Sequence, residues 1–470
     1  MKPQTGILLW LCLLLNCTSG SEVFAQTKII NVAQQGPDTR LLKNNYLVWE
    51  RQLPFNGLSI NFNINEVNDN NSIGFFGKQK EELCYAVFKS KNTIVYDKYS
   101  NAINDLRACT FQKFKNNFLV LSMFEVNWSL WEDDLAWSRM LANLQVAAKI
   151  ANESGLKGII LDTETYGSPQ NLNLMFYCQQ FANKLLIKDS KVAYIRLKDV
   201  RDYNSIDDLF PKVNDLIYWK DSSDHANGIK LKKSVFNIYT DDQNNYYYPL
   251  LDPKFKTDVQ LIISSVEKRG NEVVQAISGG FPNAEIMLTI GPSYVKNVLS
   301  ELYGLTSTSN YLRTGYGLLI PFTKGLLKRV ASSNVLVIDG QEQSYFYKTS
   351  KQFAKLQNDF LLTGSYFGDA KADYLNKINM AAGLFLRPDN GQANNNPRLF
   401  SNSEVTNTFK FALGLKRLKY IWVYEENESY WFKPTLKNQY IERKESMSKI
   451  AGSNFDEFIN SINKGIGAIK

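Results

Sequence analysis

Eight short apolar runs, separated by stretches of helical periodicity, leave this chain few architectures. The candidate strands are 58–63 (LSINFN), 84–88 (CYAVF), 118–124 (FLVLSMF), 158–162 (GIILD), 285–290 (EIMLTI), 335–339 (VLVID), 383–386 (GLFL) and 420–424 (YIWVY). The second could equally be one arm of an N-terminal hairpin. Residues 102–115, 133–154, 257–277 and 404–417 carry apolar side chains at three- and four-residue spacing, the mark of amphipathic helix. Strands alternating with helices imply an α/β fold with a parallel sheet. Eight such strands match a (β/α)8 TIM barrel, and 470 residues leave room for insertions.

One long insertion is expected after the fourth strand, at about 167–252. It contains the strand-like pieces VAYIRL and SVFNIYT and ends in DDQNNYYYPLL. The tail from Asn438 to Lys470 reads as amphipathic helix packed on the outside. Residues 26–470 then form a single barrel domain.

The N-terminus reads as an export signal over residues 1–25. Lys2 precedes an apolar run from Ile7 to Leu15 that is too short to span a membrane, and small-residue cleavage is expected after Ala25. The competing reading is a lipoprotein signal with the lipid on Cys17, after Leu14-Leu15-Asn16. Either way the protein is exported, and no later segment reads as a membrane span.

Composition narrows the chemistry. The chain is 44% hydrophobic and 21% charged, so it folds as a globular protein. Its formal charge of +8 is dispersed, with no basic block and no nucleic-acid motif. A single histidine, His225, lies in a loop-like KDSSDHANG stretch. Ser-His triads, Cys-His pairs and histidine-rich zinc sites are therefore poor hypotheses. Once residues 1–25 are removed, Cys84, Cys109 and Cys178 remain of the five cysteines, too few and too scattered for a disulfide framework, although they allow one pair in an oxidising compartment. No cofactor motif is present, and nothing in the sequence indicates an oligomeric state. Hydrolytic chemistry here must rest on carboxylates.

The fourth strand ends in such a pair, GIILDTETYG. Side chains alternate along a strand, so Asp162 and Glu164 point the same way, with Cα atoms roughly 6.5–7 Å apart. Neighbouring carboxylates resist joint ionisation, which raises one pKa and suits it to acid catalysis. The plainer reading is a strand end whose acids face solvent or pair with Lys or Arg. Two further strands end in acids: Glu342 follows the sixth in VLVIDGQEQSYFY, and Glu425 and Glu426 follow the eighth in KYIWVYEENESYW. A barrel brings the C-terminal ends of its strands to one mouth, where active sites sit. Asp162, Glu164, Glu342 and Glu426 are thus the candidate catalytic residues, with Glu425 a rival for the last place.

Aromatic residues accompany these acids. Trp128 and Trp131 follow the third strand, Tyr166 the fourth, Tyr345 the sixth and Trp431 the eighth. Rings with a polar tip suit stacking on sugars, although aromatics near strand ends also cap barrel cores. Carboxylates with aromatic platforms point to glycoside hydrolysis, in which one carboxyl protonates the leaving oxygen and another is nucleophile or base.

Several ordered segments carry a resemblance: LPFNGLSI, DLRACTFQKFKNNFLVL, WEDDLAWSRMLANLQVAAKIANESGLKGIILDTETYG, YGLLIPFTKGLL, VIDGQEQSYFY and YIWVYEENESYW. In order and spacing, from about Leu53 to Trp431, the chain resembles a group of secreted bacterial TIM-barrel proteins of glycoside-hydrolase type. The resemblance implies that the acids of DTE, of G-x-E and after the W-x-Y strand line the pocket. A looser likeness is to chitinase-type glycosidases, whose Glu is the acid and whose Asp orients an N-acetyl nucleophile. Gly155 and Gly158 stand where the upstream aspartates of that motif would be, so substrate-assisted cleavage is not the favoured route.

The leading expectation is an exported glycoside hydrolase with Glu164 as general acid, Asp162 orienting or tuning it, and Glu426 or Glu342 as nucleophile or base. The alternative is a non-catalytic carbohydrate-binding surface protein on the same scaffold. A third reading has the clustered acids hold a hard divalent cation.

Overall fold

In the computed structural model, residues 27–33, 36–62, 83–89, 92–123, 131–164, 176, 184–196, 209–210, 216–220, 231–233, 239–303, 311–314, 316–386, 400–425 and 455–467 are described. Eight parallel strands close into a barrel. They are β1 (Lys28–Ala33), β2 (Gly57–Ile60), β3 (Phe118–Ser122), β4 (Gly158–Asp162), β5 (Glu285–Leu288), β6 (Leu336–Asp339), β7 (Ile378–Leu384) and β8 (Leu418–Glu425). Each pairs with its sequence neighbour, and β1 closes the ring on β8 from Lys28↔Tyr420 to Ala33↔Glu425.

The helices that cover this ring are α1 (Thr39–Gln52), α2 (Leu83–Lys89), α3 (Ser100–Arg107), α4 (Asp134–Glu153), α5 (Lys256–Gly280) and α6 (Pro292–Tyr303). The remainder are α7 (Leu319–Val330), α8 (Ser350–Thr363), α9 (Lys371–Lys377), α10 (Asn402–Leu413) and α11 (Phe455–Gly467). Their starts are chemically marked. The Asp133 side chain accepts the Ala136 N–H at the head of α4, and reciprocal Thr349–Gln352 and Ser401–Glu404 capping boxes open α8 and α10.

Strand alternation divides the core in two. Alternate residues such as Ile30, Val120, Ile160, Met287, Ile338 and Trp422 fill the barrel lumen. Their neighbours face outward and join the larger cluster between sheet and helices. At the start of β5, Glu285 is buried but fully engaged: it accepts the Tyr420 hydroxyl at 2.8 Å and pairs with Lys157 and Lys419, each at 3.1 Å.

Two strand assignments need correction. Residues 84–88 are not a strand but lie within helix α2, whose residues from Leu83 to Phe88 are all buried. A helix covered on every side shows no polar face, so its sequence imitates a buried strand. The place in the ring is taken instead by β1, Lys28–Ala33, an apolar strand interrupted by a buried Asn31. The count of eight survives because one false strand replaced one unrecognised strand.

The insertion after β4 is a small antiparallel sheet. Lys191–Arg196 pairs with Ile187–Lys188, Ile217–Trp219 and Tyr246–Pro249, and the sheet continues through Tyr239–Thr240 to Lys232–Lys233. Tyr194, Trp219 and Tyr239 meet edge to face within it. At its edge the Asp252 N–H donates to the Lys184 carbonyl at 2.8 Å. The tail helix α11 packs on α10 through buried Phe458 and Ile462, and Thr406 Oγ1 donates to the Ser461 carbonyl. Residues 1–25, where the export signal and the Cys17 lipid site were expected, lie outside the described residues. No helix among the described residues is long and apolar enough to cross a membrane.

Candidate active site

A small cleft opens at the C-terminal ends of the strands. It is lined by Val32, Val120, Asp162, Glu164, Thr289, Glu342, Tyr345, Trp422 and Tyr424. No lysine or arginine is among these residues, in contrast to the paired Glu285 at the opposite end of the lumen.

Asp162 is the last residue of β4 and only 8% exposed. Its Oδ1 accepts the Thr289 hydroxyl at 3.1 Å and the Glu164 N–H at 3.3 Å, while Ser122 Oγ donates to Oδ2 at 3.4 Å. Burial outweighs these donors and pushes the Asp162 carboxyl up to about 6. The intervening Thr163 is tied outward: its Oγ1 donates to the Ile290 carbonyl at 2.7 Å and accepts the Ile290 N–H at 3.1 Å. That double tie to the neighbouring segment keeps Asp162 and Glu164 together on the cleft side.

Glu342 arrives from the turn after β6. Gly340 permits this turn, since a Cβ there would lie 2.3 Å from the Leu288 carbonyl oxygen. Gln341 adopts the left-handed conformation, φ 53° and ψ 54°, and the Glu342 N–H donates to the Thr289 carbonyl at 3.2 Å. The Glu342 carboxyl is held well above the usual carboxylate range, first by burial and then by the charges of Glu164 and Asp162. Burial and the neighbouring acids thus both work against ionisation of Glu342.

Aromatic rings form one side of the cleft. Tyr345 stacks on Tyr424 with ring centres 5.4 Å apart and meets Trp422 edge-on at 5.2 Å. Gly383 makes room for both, because a Cβ there would stand 2.7 Å from the Trp422 ring and 2.9 Å from the Tyr345 ring. Burial, followed by the Glu342 charge, raises the Tyr345 phenol.

The structure thus brings together Asp162, Glu164, Glu342 and Tyr345 from the sequence-derived set. Two members are placed elsewhere. Trp131 is 1% exposed and stacks on Trp137, with Phe176 and Phe322 against it, so it is a core residue rather than a sugar platform. Glu425 continues strand β8, and alternation places it on the opposite face from Tyr424, outside the cleft lining. Trp128, Tyr166, Glu426 and Trp431 lie outside the described residues. The sequence reading did not select Trp422, Tyr424 or Thr289. For the first two the signal was available: W-x-Y on β8 has the same two-residue spacing as D-x-E on β4. Among the described residues, no group of three or more His, Cys, Asp or Glu side chains is arranged to hold a metal ion.

No family model and no curated protein matches this chain. Among solved structures, a GH18 chitinase from Pseudoalteromonas aurantia is similar over 90% of this chain and 100% of its own, at 10% identity and a TM-score of 0.36. An endocellulase from Pyrococcus horikoshii, solved in complex with cellotetraose, is similar over 96% of this chain and 95% of its own, at 8% identity and a TM-score of 0.39. Similarity at this level carries no argument about chemistry, which rests on the cleft itself.

Proposed function

We propose that this chain is a glycoside hydrolase in which Glu342 is the general acid and Glu164 its ionised partner, with Asp162 tuning the pair. The observation that carries the reading is the meeting of three carboxyl groups with aromatic rings in one cleft at the barrel mouth. Cleavage of a glycosidic bond needs one carboxyl that still holds its proton and one that has lost it. Burial and two acidic neighbours favour the proton on Glu342, which reverses the role expected for Glu164 from sequence. Glu342 gives its proton to the leaving glycosidic oxygen as the carbon–oxygen bond breaks. The Glu164 carboxylate then meets the developing positive charge at the anomeric carbon, as nucleophile or as base toward water. Tyr345 and Tyr424 offer ring surface to the sugar, with the buried Trp422 packed edge-on against Tyr345. Export through the segment 1–25, or anchoring through Cys17, would place this activity where polysaccharides are met, and both belong to the proposal.

Sugar release from a panel of polysaccharides and oligosaccharides, by the wild type, Glu342→Gln and Glu164→Gln, tests the assignment. Both variants should lose turnover on natural glycosides. On an aryl glycoside whose leaving group needs no proton, Glu342→Gln should regain activity and Glu164→Gln should not. Release of no product by the wild type, with glycan binding retained, would make the protein a carbohydrate-binding barrel instead.

A further inference from the structure

Gln341 breaks two rules of protein structure at once. It is a non-glycine residue in the left-handed region, with φ 53°, a conformation that costs an L-residue free energy. It is also fully buried, and neither its Oε1 nor its Nε2 meets a hydrogen-bond partner among the described residues. Glycine at this position would avoid both costs. Strain of this kind persists where the surroundings over-determine it, and it gathers at functional sites.

The surroundings do over-determine it. The Gly340 N–H donates to the Leu288 carbonyl at 2.8 Å, and the Gly340 carbonyl accepts the Trp422 indole N–H at 2.7 Å. Ser344 donates to the Gln341 carbonyl through both its N–H and its hydroxyl, and the same hydroxyl reaches the Gly383 carbonyl. Asp339, on the opposite face of β6 from Ile338, accepts the Ser293 N–H at 3.0 Å near the start of α6. The turn is thus fastened to β5, β7, β8 and α6, and the residue it delivers is Glu342.

We propose that Gln341 is a positioning residue: its left-handed backbone turns the chain so that the Glu342 carboxyl is held over the barrel mouth beside Asp162 and Glu164. The inference deepens the glycosidase reading and uses its acid. The geometry it concerns does not depend on turnover.

Gln341→Gly and Gln341→Ala separate backbone from side chain. Both remove the amide, but only glycine enters the left-handed region freely. The full-length variants are titrated by carbon NMR of the Glu342 carboxyl, beside sugar release from the glycan panel. Gln341→Gly should keep the raised Glu342 titration and stay within about threefold of wild-type turnover. Gln341→Ala should bring Glu342 back toward the ordinary carboxylate range and lower kcat at least tenfold with KM little changed. Should the alanine variant not fold, Gln341→Asn and Gln341→Ser pose the same contrast, since asparagine accepts the left-handed region more readily. If both members of a pair titrate alike, the backbone does not aim Glu342 and the proposal falls. If no protein releases sugar while the titrations differ, the glycosidase reading falls and the positioning role stands.

Discussion

The indole N–H of Trp422 donates to the carbonyl of Gly340 at 2.7 Å, joining β8 directly to the turn that carries Glu342. The bond is buried and ties the last strand of the barrel to the candidate acid. Trp422→Phe keeps a ring in the lumen but leaves that carbonyl without its donor. Losing a buried partner costs about 1–3 kcal/mol, so urea unfolding of this variant should show a loss of that size. Sugar release should fall as well, because the Glu342 turn loses one of its ties.

After burial and the Glu164 charge, the charge of Asp162 also raises the Glu342 carboxyl. Asp162→Asn removes that charge, so Glu342 should release its proton at lower pH. The alkaline limb of the activity profile reports loss of the protonated acid, and it should move to lower pH. An alkaline limb that stays in place or moves upward would argue against Glu342 as the acid.

Asp339 is fully buried, and burial pushes its carboxyl up to about 6. In the folded protein it therefore keeps a proton at pH values where the unfolded chain has already released one. Its contribution makes stability fall as pH rises from about 4 toward 6, by about 3 kcal/mol. Below this window the penalty is absent, and above it the penalty is constant. Denaturant melts of Asp339→Asn at pH 4 and pH 7 should differ less than those of the wild type by about that amount.

The tail helix serves the fold and not the cleft. Phe458 is 1% exposed where α11 packs on α10. Phe458→Ala should cost about 3 kcal/mol in denaturant melts through the cavity it leaves. Its kcat, measured well below the melting transition, should match the wild type.

Most of the barrel was legible because its strands are apolar runs bounded by turns, and GIILD at residues 158–162 coincides with β4. What escaped has physical causes. CYAVF was misread because α2 is buried on all sides and carries no helical stripe. KIINVA was passed over because Asn31 interrupts its apolar character beside a segment read as a signal. Strand β7 begins at Ile378, earlier than the GLFL run, because Asn379 and Met380 do not stand out as strand. Within the site, the direction of the acids was legible at D-x-E, where strand alternation sets it, whereas the left-handed Gln341 that aims Glu342 carries no mark in the sequence. The place of Trp131 was not legible, because a tryptophan after a strand satisfies a core as readily as a cleft, and packing sends it to the core.

The ring closes only when β1, near the start of the described chain, pairs with β8, near its end. Glu164 and Glu342 reach the mouth from β4 and β6, and the Trp422 tie comes from β8 itself. An incomplete polypeptide, or one still threaded as an open chain, therefore carries every acid of the cleft yet has no cleft. The carboxyl cluster at the mouth is thus assembled only when the last strand docks, and the proposed chemistry would have to wait for that closure.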